Sequence, residues 1–436
     1  MKKIAILGNS SAVVQLVDKL RGQDQELSIT LFPLSEHLPY HRHLLVDFFK
    51  EYNTLDQLYC QPWKYYERNK VAIVQDKKIK RISLKRKYIS LEDKSQIEFD
   101  ALVVAGTEGV KFSEFNGNAK NGVLRAGRLE DVISVINLLP VAETFIIQDQ
   151  SLQALEMAFA LSQKNKEVLW VNPGNQLLPE LLDAQTALFI NNLMQNSGIR
   201  SIEKNKIAEI LGDDDLKAVK MQSGKVFGCH ALFLGGEAPD LRLFKDSDLM
   251  MKNGICVNHL FQSNLKEVYA MGDVCAFRLL SSLRNTPIYS EAIDKQGAIV
   301  GAALREEEPI YDIALNVNTF ALAEASVTIM GRTLKGENVE EYQSIDEENQ
   351  IFKKIFVQDN CIIGAVLINA PEQKDEIYHL IVQQEEVSDK IALIVGAQDN
   401  EPKSSKDSAA ETENQPQMCE TSVMDSENVR VAEENS

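Results

Sequence analysis

Residues 144 to 171 read as an apolar run (Phe145-Ile146-Ile147), a polar turn (Gln148 to Ser151), an amphipathic stretch through Leu161 and a second apolar run (Val168 to Val171). That order predicts strand, turn, helix, strand, the layout of a dinucleotide-binding unit. The same order opens the chain: strand Lys3 to Leu7, turn Gly8 to Ser11, helix Ala12 to Arg21, strand Ser28 to Leu31. One half of the chain thus repeats the other.

Between the two units, residues 71 to 104 alternate in short runs that end in Phe99-Asp100-Ala101-Leu102-Val103-Val104. They predict a β-meander feeding back into the first sheet. In the second half a helix over Ala184 to Asn196 precedes an alternating segment Ile199 to Ile210, and Val219 to Val226 with Ala231 to Leu234 close the unit. A long helix near Ser290 to Leu304 leads into Val317 to Ile329, strands Phe352 to Val357 and Cys361 to Ile368, and a helix Asp375 to Gln383. This last part predicts an α+β domain. Beyond about Ala397 the composition turns to Ser, Glu, Asp, Asn, Gln and Lys, too poor in apolar residues to offset the entropy of ordering, so a disordered acidic tail is expected.

The chain has 436 residues, 44% of them hydrophobic, and a formal charge of −18, which argues against nucleic-acid or anionic-membrane partners. Lys2-Lys3 precedes an apolar run that Gly8 cuts short of a signal peptide, and no segment reaches the length of a membrane span, so a cytoplasmic location is expected. Cys60, Cys229, Cys256, Cys275, Cys361 and Cys419 show neither C-x-x-C nor metal-ligand spacing, which predicts reduced, mostly packed thiols. His37, His41 and His43 cluster without a carboxylate or cysteine to complete a ligand set, and no metal is expected there.

The first turn keeps one glycine of the dinucleotide fingerprint, Gly8. Ser10 and Ser11 add hydroxyls able to meet a phosphate, and Val13 places a branched side chain where the third glycine would let helix and strand touch. On these residues a nucleotide site and a plain packing turn both remain open.

Several stretches in order resemble the FAD-dependent pyridine-nucleotide oxidoreductases, in particular the branch with NADH:rubredoxin reductase and the flavoprotein part of nitrite reductase. They are Ile4 to Val13, Leu38-Pro39-Tyr40-His41-Arg42-His43-Leu44-Leu45, Phe99 to Thr107, Leu155-Glu156-Met157-Ala158, Gln176 to Pro179, Val268 to Val274, and Phe352-Lys353-Lys354 with Gly364 to Ile368. The resemblance spans roughly residues 2 to 395. It implies two Rossmann-like three-layer nucleotide-binding domains, FAD-type with an inserted NAD-type, plus a C-terminal α+β domain. The expected boundaries are 1–112 and 239–308 for the FAD-type domain, 113–238 for the NAD(P)-type domain, 309–396 for the interface domain and 397–436 for the tail.

The resemblance further implies FAD contacts at Gly8, Ser10, Ser11, Arg42, Ala105, Gly106, Gly272 and Asp273, although an ordinary helix N-cap would also suit Asp273. The acid that holds the FAD adenosine ribose falls at Leu34 or Ser35, and Glu36, the nearest carboxylate, is expected to substitute as the FAD contact there. The family lysine near the flavin N5 edge is Asp47, a change of sign that would alter the stability of anionic reduced flavin by ~1 to 4 kcal/mol per unit charge at ~4 Å. Glu156 matches a glutamate that faces the flavin across the nicotinamide pocket, the alternative being an ordinary surface or first-turn glutamate.

In the second turn Asp149, Ser151 and Ala154 stand at the three glycine positions, and Asn172 replaces the acid expected to hold the NADH ribose. Asp149 or Ser151 could occupy the helix donors as an internal cap. Gly235-Gly236-Glu237-Ala238-Pro239-Asp240 carries acid where the family turn carries arginine. Two functions stay open: a flavoprotein that retains FAD, binds NAD(P)H weakly and passes electrons to an external acceptor such as a small electron-carrier protein; or a non-catalytic scaffold or interaction protein that keeps the oxidoreductase fold.

Overall fold

The computed structural model describes residues 2–22, 24–51, 54–75, 77–107, 110–111, 120–236, 238–279, 282–284, 292–307, 317–336, 338–387, 391 and 394. The expected acidic tail and Glu237 lie outside them. Val-, Ile- and Leu-rich runs form two five-stranded parallel sheets whose inner strands are buried on both faces. The first runs in the order Val268–Ala270, Ala101–Val104, Lys3–Leu7, Ser28–Phe32, Val71–Ile73. The second runs Arg200–Ile202, Glu167–Val171, Thr144–Gln148, Ala231–Leu234, Val123–Leu124. In both, the chain leaves the central strand to one side and returns on the other, so the crevice at the carboxyl ends of the strands opens above Leu7 and above Gln148.

Two expectations need correction. Val71–Ile73 is the fifth parallel strand of the first sheet, and the meander proper is a separate antiparallel sheet of Ile79–Ser83, Tyr88–Leu91 and Gln96–Glu98. The segment 199–210 likewise divides: Arg200–Ile202 extends the second sheet, while Ile207–Leu211 turns away into a three-stranded antiparallel sheet with Ala218–Met221 and Val226–Gly228. Alternation alone does not distinguish one strand from two that change partners.

Helix Ala292–Leu304 lies along helix Ala12–Arg21. A Cβ at Gly297 would fall 2.0 Å from the Ala12 carbonyl oxygen, and one at Gly301 would fall 2.7 Å from Lys19 Cγ. Two glycines one turn apart therefore let the helix backbones touch. The close approach expected at the third fingerprint glycine has moved to this helix pair, and Val13 is simply buried in the core.

The C-terminal sheet is antiparallel, in the order Val317–Leu322, Ala325–Gly331, Cys361–Ile368, Ile351–Gln358, Glu340–Asp346. The last strand, E-E-Y-Q-S-I-D, is too polar to be read as a strand from hydrophobicity. Asp359 and Asn360 adopt φ of 51° and 61° in the two-residue hairpin loop, the left-handed pair such a turn requires.

This sheet is fastened to the second nucleotide-binding unit by Lys354. The residue is fully buried, and its ammonium lies 2.6 Å from Asp183, 2.9 Å from Glu341 and 2.9 Å from the Gln185 side-chain oxygen. Asp183 also caps helix Ala184–Asn196 through the N–H groups of Gln185 and Thr186. Burial alone would raise the Asp183 carboxyl pKa, but its bonds to Lys354 and Thr186 outweigh that and hold it below the usual range. Lys354→Ala strands two partly buried carboxylates, Asp183 at 12% and Glu341 at 24% side-chain exposure, and a loss of about 3 kcal/mol in denaturant-unfolding free energy is expected. A loss below about 1 kcal/mol would show that water reaches the cluster in solution.

Candidate functional site

The two crevices can be compared residue by residue, because the sheets carry the same register. Leu7 pairs with Val104 and Gln148 with Leu234, so Gly8 stands opposite Ala105 and Asp149 opposite Gly235. At this crossing the backbones are too close for two side chains. A Cβ on Gly8, whose φ is +117°, would lie 2.5 Å from the Ala105 carbonyl. In the second unit the relief is on the other strand: Asp149 keeps its side chain, and a Cβ on Gly235 would lie 2.6 Å from the Asp149 carboxylate.

Around the first turn, Ser10 N–H donates to the Ala105 carbonyl at 3.1 Å, and Gly106 sits beneath Gly8 and Asn9. Helix Ala12–Arg21 has no acid in its first turn, and its N-cap residue Ser11 makes no side-chain cap bond. Ser10 Oγ reaches the Ala12 N–H at a long 3.4 Å. Gly272 has φ +80° and leaves room for Ser10 Oγ, which a Cβ there would meet at 3.4 Å; its N–H donates to the buried Gln296 side chain at 2.8 Å. The touching helices thus bring the Gly272 turn up to the first turn.

Arg42 and Asp273, 231 residues apart, form an ion pair across this crevice, and Arg42 Nε donates to the Gly127 carbonyl at 2.8 Å. Cys275 is buried, its thiol donating to the Gly272 carbonyl at 2.9 Å. Burial, then the Asp273 charge, pushes its pKa up to about 12, so it is a packed thiol.

At the second turn the donors have partners within the chain. The Asp149 carboxylate accepts hydrogen bonds from Ser151, through both hydroxyl and backbone N–H, and from the Gln150 N–H. Ser151 Oγ accepts in turn from Ala154 N–H at 3.2 Å, capping helix Leu152–Gln163. Burial pushes the Asp149 pKa up to about 6, with those hydrogen bonds opposing it. Asn172 is buried, accepts from Gly174 N–H at 3.0 Å and donates to Glu203 at 2.6 Å.

Two residues that the sequence reading passed over join these parts. Gln150 lies over the crevice mouth, donating to Asn172 at 3.3 Å and accepting from Leu178 N–H at 2.7 Å. Asn9, at the equivalent position of the first turn, donates to Ser35 at 3.2 Å. The signal was available as an amide at the same place in both repeats.

Other candidates fall as follows. Glu36 is exposed, and its carbonyl accepts from the Gln75 side chain; Leu34 beside it has φ of 62°. Asp47 points to solvent from helix Leu45–Glu51 and pairs with Lys50 at 3.6 Å. Glu156 is only 4% exposed, so the reading as an ordinary surface glutamate does not hold. His37 bonds Tyr59 at 3.0 Å, and the His41 and His43 rings stack edge to face. Among the described residues no group of three His, Cys, Asp or Glu converges as a metal set.

Two parallel sheets of matching strand order, each with a strand-turn-helix crevice at its carboxyl end, define a duplicated Rossmann-like α/β architecture. Residues 2–296 match the pyridine nucleotide-disulphide oxidoreductase family, and residues 317–385 match the rubredoxin NAD+ reductase C-terminal domain. The chain belongs to the pyridine nucleotide-disulphide oxidoreductase family.

It is 22% identical to nitrite reductase [NAD(P)H] of Bacillus subtilis over 90% of this chain and 49% of that protein. It is 21% identical to NADH-rubredoxin oxidoreductase of Clostridium acetobutylicum over 84% of this chain and 90% of that one. The chain spans about half the length of the first curated relatives it matches. Among solved structures, the covalent putidaredoxin reductase–putidaredoxin complex aligns with TM-score 0.80 at 17% identity, covering 91% of this chain and 96% of that one. The NADH:rubredoxin oxidoreductase from Clostridium acetobutylicum aligns with TM-score 0.68 at 19% identity, covering 89% and 97%.

The raised Asp149 pKa has a definite sign. Its folded-state value lies above the unfolded one, so stability is full in acid and is lost as pH rises from about 4 through about 6. Asp149→Asn removes that loss, so at about pH 7.5 the variant is expected to be more stable than the parent by about 1–3 kcal/mol, with the difference closing near pH 4. Urea unfolding at the two pH values measures it; an equal effect at both would place the carboxylate in water.

Proposed function

We propose that this chain is a flavoprotein oxidoreductase that holds FAD at the first crevice and passes electrons to a small electron-carrier protein. The observation that carries the proposal is the contrast between the helix ends. Helix Ala12–Arg21 presents an N-terminus with no acid in its first turn and no cap bond from Ser11, only the long 3.4 Å contact of Ser10 Oγ with the Ala12 N–H, flanked by Gly8, Gly106 and Gly272. Before helix Leu152–Gln163, Asp149 bonds the turn N–H groups of Gln150 and Ser151, and Ser151 caps the helix at the Ala154 N–H.

The residues of the first crevice fit a diphosphate: small side chains at Ser10 and Ser11, bare Cα atoms at Gly8 and Gly272, and the Arg42 guanidinium within reach. Asp273, now paired with Arg42, offers a carboxylate to ribityl hydroxyls. Ser35, Asn9 and the exposed Glu36 stand at the adenosine-ribose end. Bound FAD supplies the chemistry that joins a two-electron donor to a one-electron carrier. Carrier proteins appear in the names of several relatives, which supports the acceptor class.

The second crevice does not fit NAD(P)H. A phosphate there would displace the Asp149 carboxylate from its donors or sit beside it, and at ~4 Å the repulsion costs ~1 to 4 kcal/mol, roughly a factor of ten to a thousand in affinity. Asn172 is not itself an acid, and the neighbouring Glu203 carboxylate is taken up by the Asn172 amide at 2.6 Å. The Asn9–Ser35 bond, which spans part of the first crevice too, favours a second reading, a non-catalytic partner that keeps the fold. A cytoplasmic location belongs to this proposal; among the described residues no helix is long and apolar enough to cross a membrane.

Absorbance spectra of the purified chain test this. A yellow protein that releases FAD on denaturation, and that excess NADH bleaches only slowly, is the expected result. Asp149→Gly with Ser151→Gly should tighten NADH binding about tenfold or more. Colourless protein that takes up no added FAD decides for the non-catalytic reading, and rapid bleaching by NADH refutes the closed second crevice.

A further inference from the structure

The overall charge of −18 hides a local reversal. From Lys77 to Lys94 the chain carries eight lysines and arginines against two acids, a local charge of +6. These residues form the antiparallel meander beside the first sheet. Lys78, Lys80, Arg81, Lys85, Arg86 and Lys94 are all exposed, and among the described residues none of the six is in an ion pair. Lys77 and Lys87 do pair, with Asp93 at 2.7 Å and Glu267 at 2.9 Å. In a chain with 64 acidic residues, six cations without an ion pair among the described residues of one small sheet are a marked departure from mixing.

The backbone contributes to this face. The pairing of Ile79–Ser83 with Tyr88–Leu91 shifts register between Ile79 and Arg81, a bulge, so that the consecutive residues Lys80 and Arg81 both reach solvent instead of alternating. Ile82 and Ile89 keep the other face in the core. Protection of an exposed sheet edge explains lysines on the edge strand itself. It does not explain Lys85 and Arg86 in the turn.

That turn also fixes where the face lies. Phe99 N–H donates to the Lys87 carbonyl, Asp100 N–H to the Lys3 carbonyl, and Lys87 pairs with Glu267, just before strand Val268–Ala270. The basic turn therefore abuts the amino ends of the first sheet's strands, whereas Gly8, Gly106 and Gly272 stand at their carboxyl ends. A partner here would leave the nucleotide crevice open.

We propose that this basic face docks an acidic protein partner, independently of electron transfer at the crevice. Charge complementarity selects the class, and size narrows it. The five-residue strand is about 17 Å long, while the rest of the chain is strongly acidic. An extended polyanion such as nucleic acid, or an anionic membrane, would run beyond the basic face and meet that repulsion within about a Debye length. A compact acidic patch would not.

The test compares the full chain with its Lys80→Glu, Arg81→Glu, Arg86→Glu variant, using a ten-residue oligoglutamate, a duplex DNA and phosphatidylserine vesicles as probes. Oligoglutamate is expected to bind the parent, to weaken about tenfold or more between low and physiological salt, and to lose binding in the variant. DNA and vesicles are expected not to bind. Unchanged melting temperature and FAD content confirm that the variant is folded. Oligoglutamate binding that is absent, or equal in parent and variant, overturns the docking face; tighter binding to DNA or vesicles overturns the protein class of partner. Neither result bears on whether FAD is held at the crevice, which absorbance reads separately.

Discussion

The crossing of the central strand with its returning neighbour admits only one side chain, and both halves of the molecule obey that limit. In the first half the bare residue is Gly8, the start of the turn; in the second it is Gly235, on the returning strand. The fold is satisfied either way, because the hydrogen bonds Ala105 N–H to Leu7 and Gly235 N–H to Gln148 form in both. What changes is where the freed space lies. A bare turn leaves the helix N-terminus facing the crevice, whereas a bare strand end leaves room for a turn side chain to fold back onto the N–H groups of the turn that precedes the helix.

Asp149 uses that room. Its carboxylate bonds the turn N–H groups where a phosphate would otherwise sit, and the site becomes internally satisfied at the expense of holding a charge in a poorly hydrated place. The Gln150–Asn172 bond closes the other end of the same path, and Asn9–Ser35 repeats it more lightly in the first half. The two crevices are thus graded versions of one arrangement. Their difference is concentrated in the anion end, where a helix dipole makes an occupant's charge count most.

Much of this was legible in the sequence because the relevant residues are local. Strand, turn and helix of each repeat read directly from periodicity, and Asp149, Ser151 and Asn172 could be placed by counting from Leu155-Glu156. The pairing of Arg42 with Asp273, the helix contact through Gly297 and Gly301, and the seat of Lys354 join residues far apart in the chain, and no local pattern carries them. The strand Glu340–Asp346 was missed because it borders its sheet and its polar residues do not alternate. The basic meander was passed over for a different reason: a summed charge of −18 averages away a +6 segment that only exposure and a bulge turn into a surface.

Lys354 shows why such long-range joints persist. Replacing a buried ion cluster with well-packed apolar residues is often neutral or stabilising, so net stability alone is a weak reason to retain one. Its geometry gives a better reason. An apolar interface between the C-terminal sheet and helix Ala184–Asn196 would tolerate several registers, whereas one ammonium shared by Asp183, Glu341 and Gln185 fits a single one. Asp183 is at the same time the cap of that helix, so a shift of the sheet would uncap the helix as well as strand a charge. The contact therefore selects one placement of the sheet through two penalties that arise together, and it does so away from the crevice, leaving the turns free to differ.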